Sequence, residues 1–163
     1  MNEGDLRQFV DILKSFDTAM LVTERDRELR SRPMAIADRT DDGRVWFITN
    51  VESAKLEEMT EAPQVNLAMQ KESKFLSISG TIRATRDATR VDELWNDVLN
   101  AWFPQGRNDP TLILLEVVPT YVEYWDQSGT EGVKFMFETA KSALTGKTID
   151  ESAGVHGKVD LPK

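Results

Sequence analysis

Cysteine is absent from the chain, and histidine is almost absent, His156 being the only one. The first absence excludes disulfides, thiolate metal sites and cysteine nucleophiles. The second excludes a histidine-based triad or a multi-histidine metal centre within one chain, so no metal site is expected. No apolar run approaches the ~20 residues of a membrane-spanning helix. Residues Met1 to Asp5 show no basic region followed by an apolar stretch, so a secretory leader is not expected. The expectation is a cytoplasmic protein with no membrane partner. Positive charge is also in deficit: 20 Lys and Arg stand against 28 Asp and Glu, a net charge of −8. A broad electrostatic grip on nucleic acid needs the opposite balance. With so few acid–base groups of the usual kinds, any reaction here calls for a bound cofactor.

The chain has 163 residues, 40% of them hydrophobic, enough for one domain with its own core. Leu6, Phe9, Val10 and Leu13 follow helical spacing over residues 5–16, with Asp5 as N-cap. Residues 18–24 read as a strand, 25–28 as a turn, and a second strand runs from Leu29 through Ile36. Val65, Leu67 and Met69 alternate along 64–70. A long strand over 74–86 places Leu76, Ile78, Ile82 and Ala84 on one face, with Gly80 marking a bulge or bend. A second helix is expected over 88–102, its stripe formed by Val91, Leu94, Trp95, Val98 and Leu99. Thr111 to Val118 is apolar almost throughout, as in a strand buried on both faces. Pro119 kinks the chain before a last strand from Tyr121 to Trp125, and residues 132–144 suit one more helix. Strands this closely spaced must pair antiparallel. The expected architecture is mainly β: a six- to seven-stranded antiparallel barrel with peripheral helices over residues 1–145, followed by a polar, loose tail over 146–163.

Residues 32–59 draw these elements together. Arg32-Pro33-Met34-Ala35-Ile36-Ala37 reads as one arm of a hairpin, Asp41-Asp42-Gly43 as its turn, and residues 44–50 as the other arm. Residues 53–61 then form a short helix. Thr49-Asn50-x-x-Ser53-x-Lys55 sets hydroxyls, an amide and a cation at that helix start, where free N–H groups and the helix dipole favour an anion. Each residue also has a plainer reading: Arg32 as a strand arginine, Ser53 as an N-cap, Lys55 as a solvated lysine, Thr49 as a strand threonine. Trp102 and Phe103, before a Pro-x-Gly break, suit either helix-end packing or a cover over a flat ring.

Arg32-x-Met34-Ala35-Ile36, followed by Phe47-Ile48-Thr49-Asn50-x-x-Ser53-x-Lys55, resembles the flavin-binding signature of the pyridoxamine 5′-phosphate oxidase-like split barrels. Val118-Pro119-x-x-Val122-Glu123-Tyr124-Trp125 is similar to the family's closing-strand motif. Trp102-Phe103-Pro104-Gln105-Gly106 and the helix before it resemble the bacterial general-stress-protein branch. The resemblance spans roughly residues 5–126. It implies a homodimeric split β-barrel with FMN at the subunit interface. By the same resemblance, Arg32, Ser53 and Lys55 hold the phosphate. The backbone at Pro33 and Met34 and the side chain of Thr49 lie along the ring and ribityl chain, and Asn50 shapes the turn into the phosphate site.

The chain also departs from the oxidase proper. Ala54 and Ala37 stand where that enzyme has cations, and Ile48 where it has an aromatic residue. Residues 126–132 carry neither the arginine nor the histidine that would bind a substrate phosphate, so oxidation of pyridoxamine phosphate is not expected. Two functions follow: an FMN-dependent oxidoreductase linked to stress response, or a non-catalytic flavin or small-ligand binder. A third, haem or a deazaflavin in place of FMN, is disfavoured for haem by the lone tail histidine.

Overall fold

The computed structural model describes residues 3–51, 63–126 and 155–161. The helices expected over 53–61 and 132–144 lie outside them. Helix α1 (Glu3–Leu13) is followed by β1 (Thr18–Arg25), β2 (Glu28–Ala35), the two-residue β3 (Asp38–Arg39) and β4 (Val45–Asn50). Then come β5 (Gln64–Lys71), β6 (Lys74–Thr85), helix α2 (Ala88–Leu94), short 3-10 turns at Asp97–Ala101 and Gly106–Asn108, β7 (Leu112–Asp126) and β8 (Val155–Asp160). All pairings are antiparallel, in the order β2-β1-β5-β6-β7-β4-β3, with β8 also on β7. The fold is a mainly β split barrel with peripheral helices; the spacing of the strands predicts the antiparallel barrel, and the family resemblance implies the split.

Among the described residues, two apolar clusters hold it together. The larger fills the barrel, with Leu21, Phe47, Leu67, Ile78, Leu115 and Val117 at its centre. Helix α1 closes one end with Phe9, Val10, Ile12 and Leu13. Asp5 lies inside α1 rather than capping it. The smaller cluster lies on the outer face of β4 and β7, where Val91 and Phe103 pack on Leu112 and Leu114. Residues 112–117 are thus buried on both faces, because alternate side chains serve different clusters.

Two of four local features differ from the sequence expectation, and two follow it. Residues 32–37 do not form a hairpin arm against 44–50: β2 pairs with β1, and only Asp38 and Arg39 pair with β4. Gly43 does make the tight turn, at φ +84, and a Cβ there would strike the Phe9 ring. The helix over 88–102 breaks at Trp95, whose backbone is extended. Asn96 then caps the 3-10 turn, its Oδ1 accepting from the Val98 N–H at 3.1 Å. Asn and Asp compete for backbone groups inside a helix, and Asn96 does so here. The bulge expected at Gly80 is present, between Ser79 and Gly80, and a Cβ on Gly80 would sit 2.3 Å from the Val118 carbonyl oxygen. It makes residues 112–126 one strand, with Thr120 as the extra residue.

The tail needs the largest correction. Residues 155–160 are not loose: β8 pairs with β7 from Tyr121 to Asp126. Val159 enters the barrel core, and the His156 ring stacks on Trp125 with centroids 5.1 Å apart. One buried valine and one stacked ring in a polar hexapeptide give too weak an alternation to read in advance.

Candidate functional site

Among the described residues, strand β2 pairs with β1 alone, and beyond Trp46 no described strand lies on the second edge of β4. The barrel is therefore split between them. A cavity of about 550 Å³ occupies the split. One wall runs from Pro33 to Ala37, another from Ile48 to Asn50, and the third comes from Asn96, Val98, Leu99, Trp102 and Phe103. This volume suits a small organic ligand.

The walls are almost wholly apolar. Thr49, Asn50 and Asn96 are the only polar side chains, and no charged one lines the cavity among the described residues. Thr49 is 7% exposed, so its hydroxyl is a buried polar group beside the cavity. Two strand edges facing a hollow bring backbone donors and acceptors to its rim. The arrangement suits a flat heteroaromatic ring, apolar above and below and polar along its edge.

The third wall is held rigidly from behind. Phe103 is 3% exposed and packs on Leu112, Leu114 and Val91. Arg90 of α2 lies over the Trp46 ring at 4.9 Å and pairs with Asp38 and Glu93. Burial works against its charge, but the bonds to Glu93 and Asp38 outweigh that and raise its pKa. At the far end, Asp109 accepts from the Thr111 hydroxyl at 2.6 Å and its N–H at 2.9 Å. These bonds hold the Asp109 carboxyl below its ordinary pKa. Beside this wall, Glu116 sits nearly buried between Arg44 and Arg83, each 2.7 Å away. The Glu116 bond comes first among the contacts that raise the Arg44 pKa.

Six residues picked out in the sequence line this one cavity: Pro33, Met34, Thr49, Asn50, Trp102 and Phe103. Arg32 does not line it. Its guanidinium donates to the Thr23 hydroxyl at 2.7 Å, and Thr23 borders a second, more polar hollow of about 680 Å³ with Gln64, Asn66 and Thr81. Ser53 and Lys55 lie outside the described residues. Asn96, Val98 and Leu99 were not anticipated as lining residues. The signal for them was the Asn96-Asp97 pair, which breaks the helix and turns its last residues toward the split.

A family model described as pyridoxamine 5′-phosphate oxidase like matches residues 4–150. The chain is similar to a protein provisionally named general stress protein 26 from Jannaschia sp. CCS1, with 29% identity, 94% of this chain and 96% of that one covered, and a TM-score of 0.72. It is similar to the general stress FMN/FAD binding protein of Xanthomonas citri, with 30% identity, 79% and 93% covered, and a TM-score of 0.69. A Nostoc punctiforme PCC 73102 protein described as pyridoxamine 5′-phosphate oxidase-related and FMN binding shares the fold, at 16% identity, 78% and 85% covered, and a TM-score of 0.55. Among curated proteins there is no significant match.

Proposed function

The chain belongs to the pyridoxamine 5′-phosphate oxidase-like family, and we propose that it is a flavin-binding protein taking FMN in the split between β2 and β4. The observation that carries this reading is the uncharged, apolar cavity bordered by two strand edges and one buried hydroxyl. The relative from Xanthomonas citri, named FMN/FAD binding, supports a flavin as the ligand class. Pro33, Met34 and Thr49 lie along the ring and ribityl chain in this assignment, and Asn50 shapes the turn into the phosphate site. Arg32, Ser53 and Lys55 take the phosphate. A guanidinium carries five N–H donors, so the Arg32 bond to Thr23 is compatible with a phosphate oxygen as a further acceptor.

We read the activity as that of an oxidoreductase within a stress response. FMN, when bound, supplies hydride or electron transfer. The chain's own residues bind the ring, orient it and keep water from its faces. A non-catalytic binder is the second reading, favoured by the lack of any titratable side chain lining the cavity among the described residues. The assembly we propose is a homodimer with the split at the subunit boundary.

The test compares FMN with riboflavin, which differ only in the phosphate. FMN is expected to bind more tightly. Arg32→Ala should cost FMN about 1–3 kcal/mol and leave riboflavin unchanged. Equal affinities for the two flavins would remove the phosphate cradle from the account. Reduction of the bound flavin by NADH or NADPH, followed at the flavin absorbance band, separates the enzyme from the binder.

A further inference from the structure

The three walls of the cavity are tied to one guanidinium. The first wall ends at Ala37, and the next residue, Asp38, pairs with Trp46 of β4. The Ala37 N–H donates to the Trp46 carbonyl oxygen at 2.8 Å. The second wall begins farther along β4, at Ile48. Among the described residues, the backbone junction of these two walls rests on that bond and on the short ladder of β3 with β4. The third wall follows α2, and Arg90 stands in the first turn of that helix. Asp87 caps α2 by accepting from the Arg90 N–H at 3.1 Å, which fixes the backbone there.

From that place the Arg90 side chain reaches the junction of the other two walls. Its guanidinium lies over the Trp46 ring, and one terminal nitrogen donates to the Asp38 carboxylate. The other donates to Glu93 at 2.7 Å. Asp38 and Trp46 are directly opposed on β3 and β4, so one planar cation sits on a cross-strand pair. Trp46 packs on the outer cluster together with Ile48, so the indole under the guanidinium shares a strand face with the second wall. The two ion pairs differ in reach. The Glu93 pair stays within α2, whereas the Asp38 pair crosses from the helix of the third wall to the end of the first. A planar fork with a stacking face can serve all three partners at once, which a lysine ammonium, one point charge on a flexible stem, cannot.

We propose that Arg90 is a positioning residue of the flavin site: without lining the cavity, it joins Asp38, Trp46 and α2 and so sets the spacing of the three walls before the ring enters. This deepens the flavin reading and rests on it for the identity of the occupant. Walls already held at their working separation need not be ordered by the ligand, and that saving appears as affinity. Losing the clamp raises koff more than it lowers kon.

Three variants separate the pair that crosses between walls from the pair within the helix: Arg90→Gln, Asp38→Asn and Glu93→Gln. Each is titrated with FMN and with riboflavin. Arg90→Gln should weaken both flavins by the same factor, about tenfold, because the clamp acts on the walls around the ring and not on the phosphate. Asp38→Asn should weaken both about fivefold, and adding it to Arg90→Gln should cost nothing further. Glu93→Gln should leave both within about twofold. Arg90→Lys should recover only about twofold of the loss. The visible circular dichroism of the flavin at saturation reads how the ring is held, and should fall in Arg90→Gln but persist in Glu93→Gln. A role in stability alone would leave that saturated signal unchanged. Unchanged flavin affinity in a folded Arg90→Gln protein overturns the proposal, as do equal effects of Asp38→Asn and Glu93→Gln. On flavin-free protein, amide exchange over 96–103 should quicken about fivefold in Arg90→Gln and Asp38→Asn and not in Glu93→Gln. Unchanged exchange in Arg90→Gln overturns the clamp. A parent protein that binds no flavin refutes the flavin reading alone, because this exchange comparison still decides whether Arg90 holds the walls.

Discussion

The barrel interior and the outer cluster beneath the 95–103 stretch are built from the same residue types but do different work. The interior draws on seven of the eight strands and on α1, from Phe9 to Val159, so its contacts join segments far apart in the chain. The outer cluster has four buried residues, Val91, Phe103, Leu112 and Leu114, and holds one short stretch against two strands. Stability is concentrated in the first. The second positions a wall of the cavity and leaves the lip of that wall in solvent. A site that must admit a ligand is expected where packing is shallow, not where it is deepest.

Truncation in each cluster is the sharpest way to break that comparison. Leu67 is fully buried at the barrel centre. Leu67→Ala should lower global stability by about 2–5 kcal/mol in denaturant unfolding, with FMN affinity of the folded fraction unchanged. Val91→Ala removes two methyl groups from the outer cluster. It should cost only about 1–2 kcal/mol, accompanied by faster amide exchange over 97–103 and weaker flavin binding. If Val91→Ala left exchange and affinity untouched, the outer cluster would be ordinary core, and the functional division would fail.

The two regions were also unequally legible in the sequence. The interior was readable because it obeys simple periods: Val65, Leu67 and Met69 alternate, and Leu76, Ile78, Gly80 and Ile82 are buried at every second position, through the bulge at Gly80. Ala84 broke the pattern and is exposed, since β6 runs past the end of the core there. The cavity was half readable. Residues 32–37 and 47–50 stood out as a motif, although they flank a split rather than pair across a hairpin, a relation no local signal encodes. The third wall was misjudged in shape. A helical stripe that includes Val98 predicts it buried, whereas the cap formed by Asn96 rotates it outward. Strand β8 was missed because its pairing with β7 is a long-range contact between weakly patterned segments.

That late strand supplies the smallest and most specific effect. On the outer side of β7, Glu123 receives Lys158 at 2.9 Å and His156 at 3.0 Å, both from β8. Lys158 is the first cause of a Glu123 pKa below the ordinary glutamate value, and its own pKa is raised in return. A carboxylate with a depressed folded pKa contributes stability above its unfolded value, and that contribution disappears as pH falls through the folded one. The β8 latch should therefore be intact at neutral pH and loosen in the acid range, as Glu123 takes up a proton and loses its ion pair with Lys158. This pair is near the surface, so the expected change is on the order of a few-fold in amide exchange at residues 155–160. Val159 in the core and the stack of His156 on Trp125 keep the strand docked. Glu123→Gln at neutral pH should reproduce the faster exchange and remove its acid dependence. Acid loosening that persisted in Glu123→Gln would assign the latch to another group, and with it the distinction between a barrel closed by packing and a strand fastened by charge.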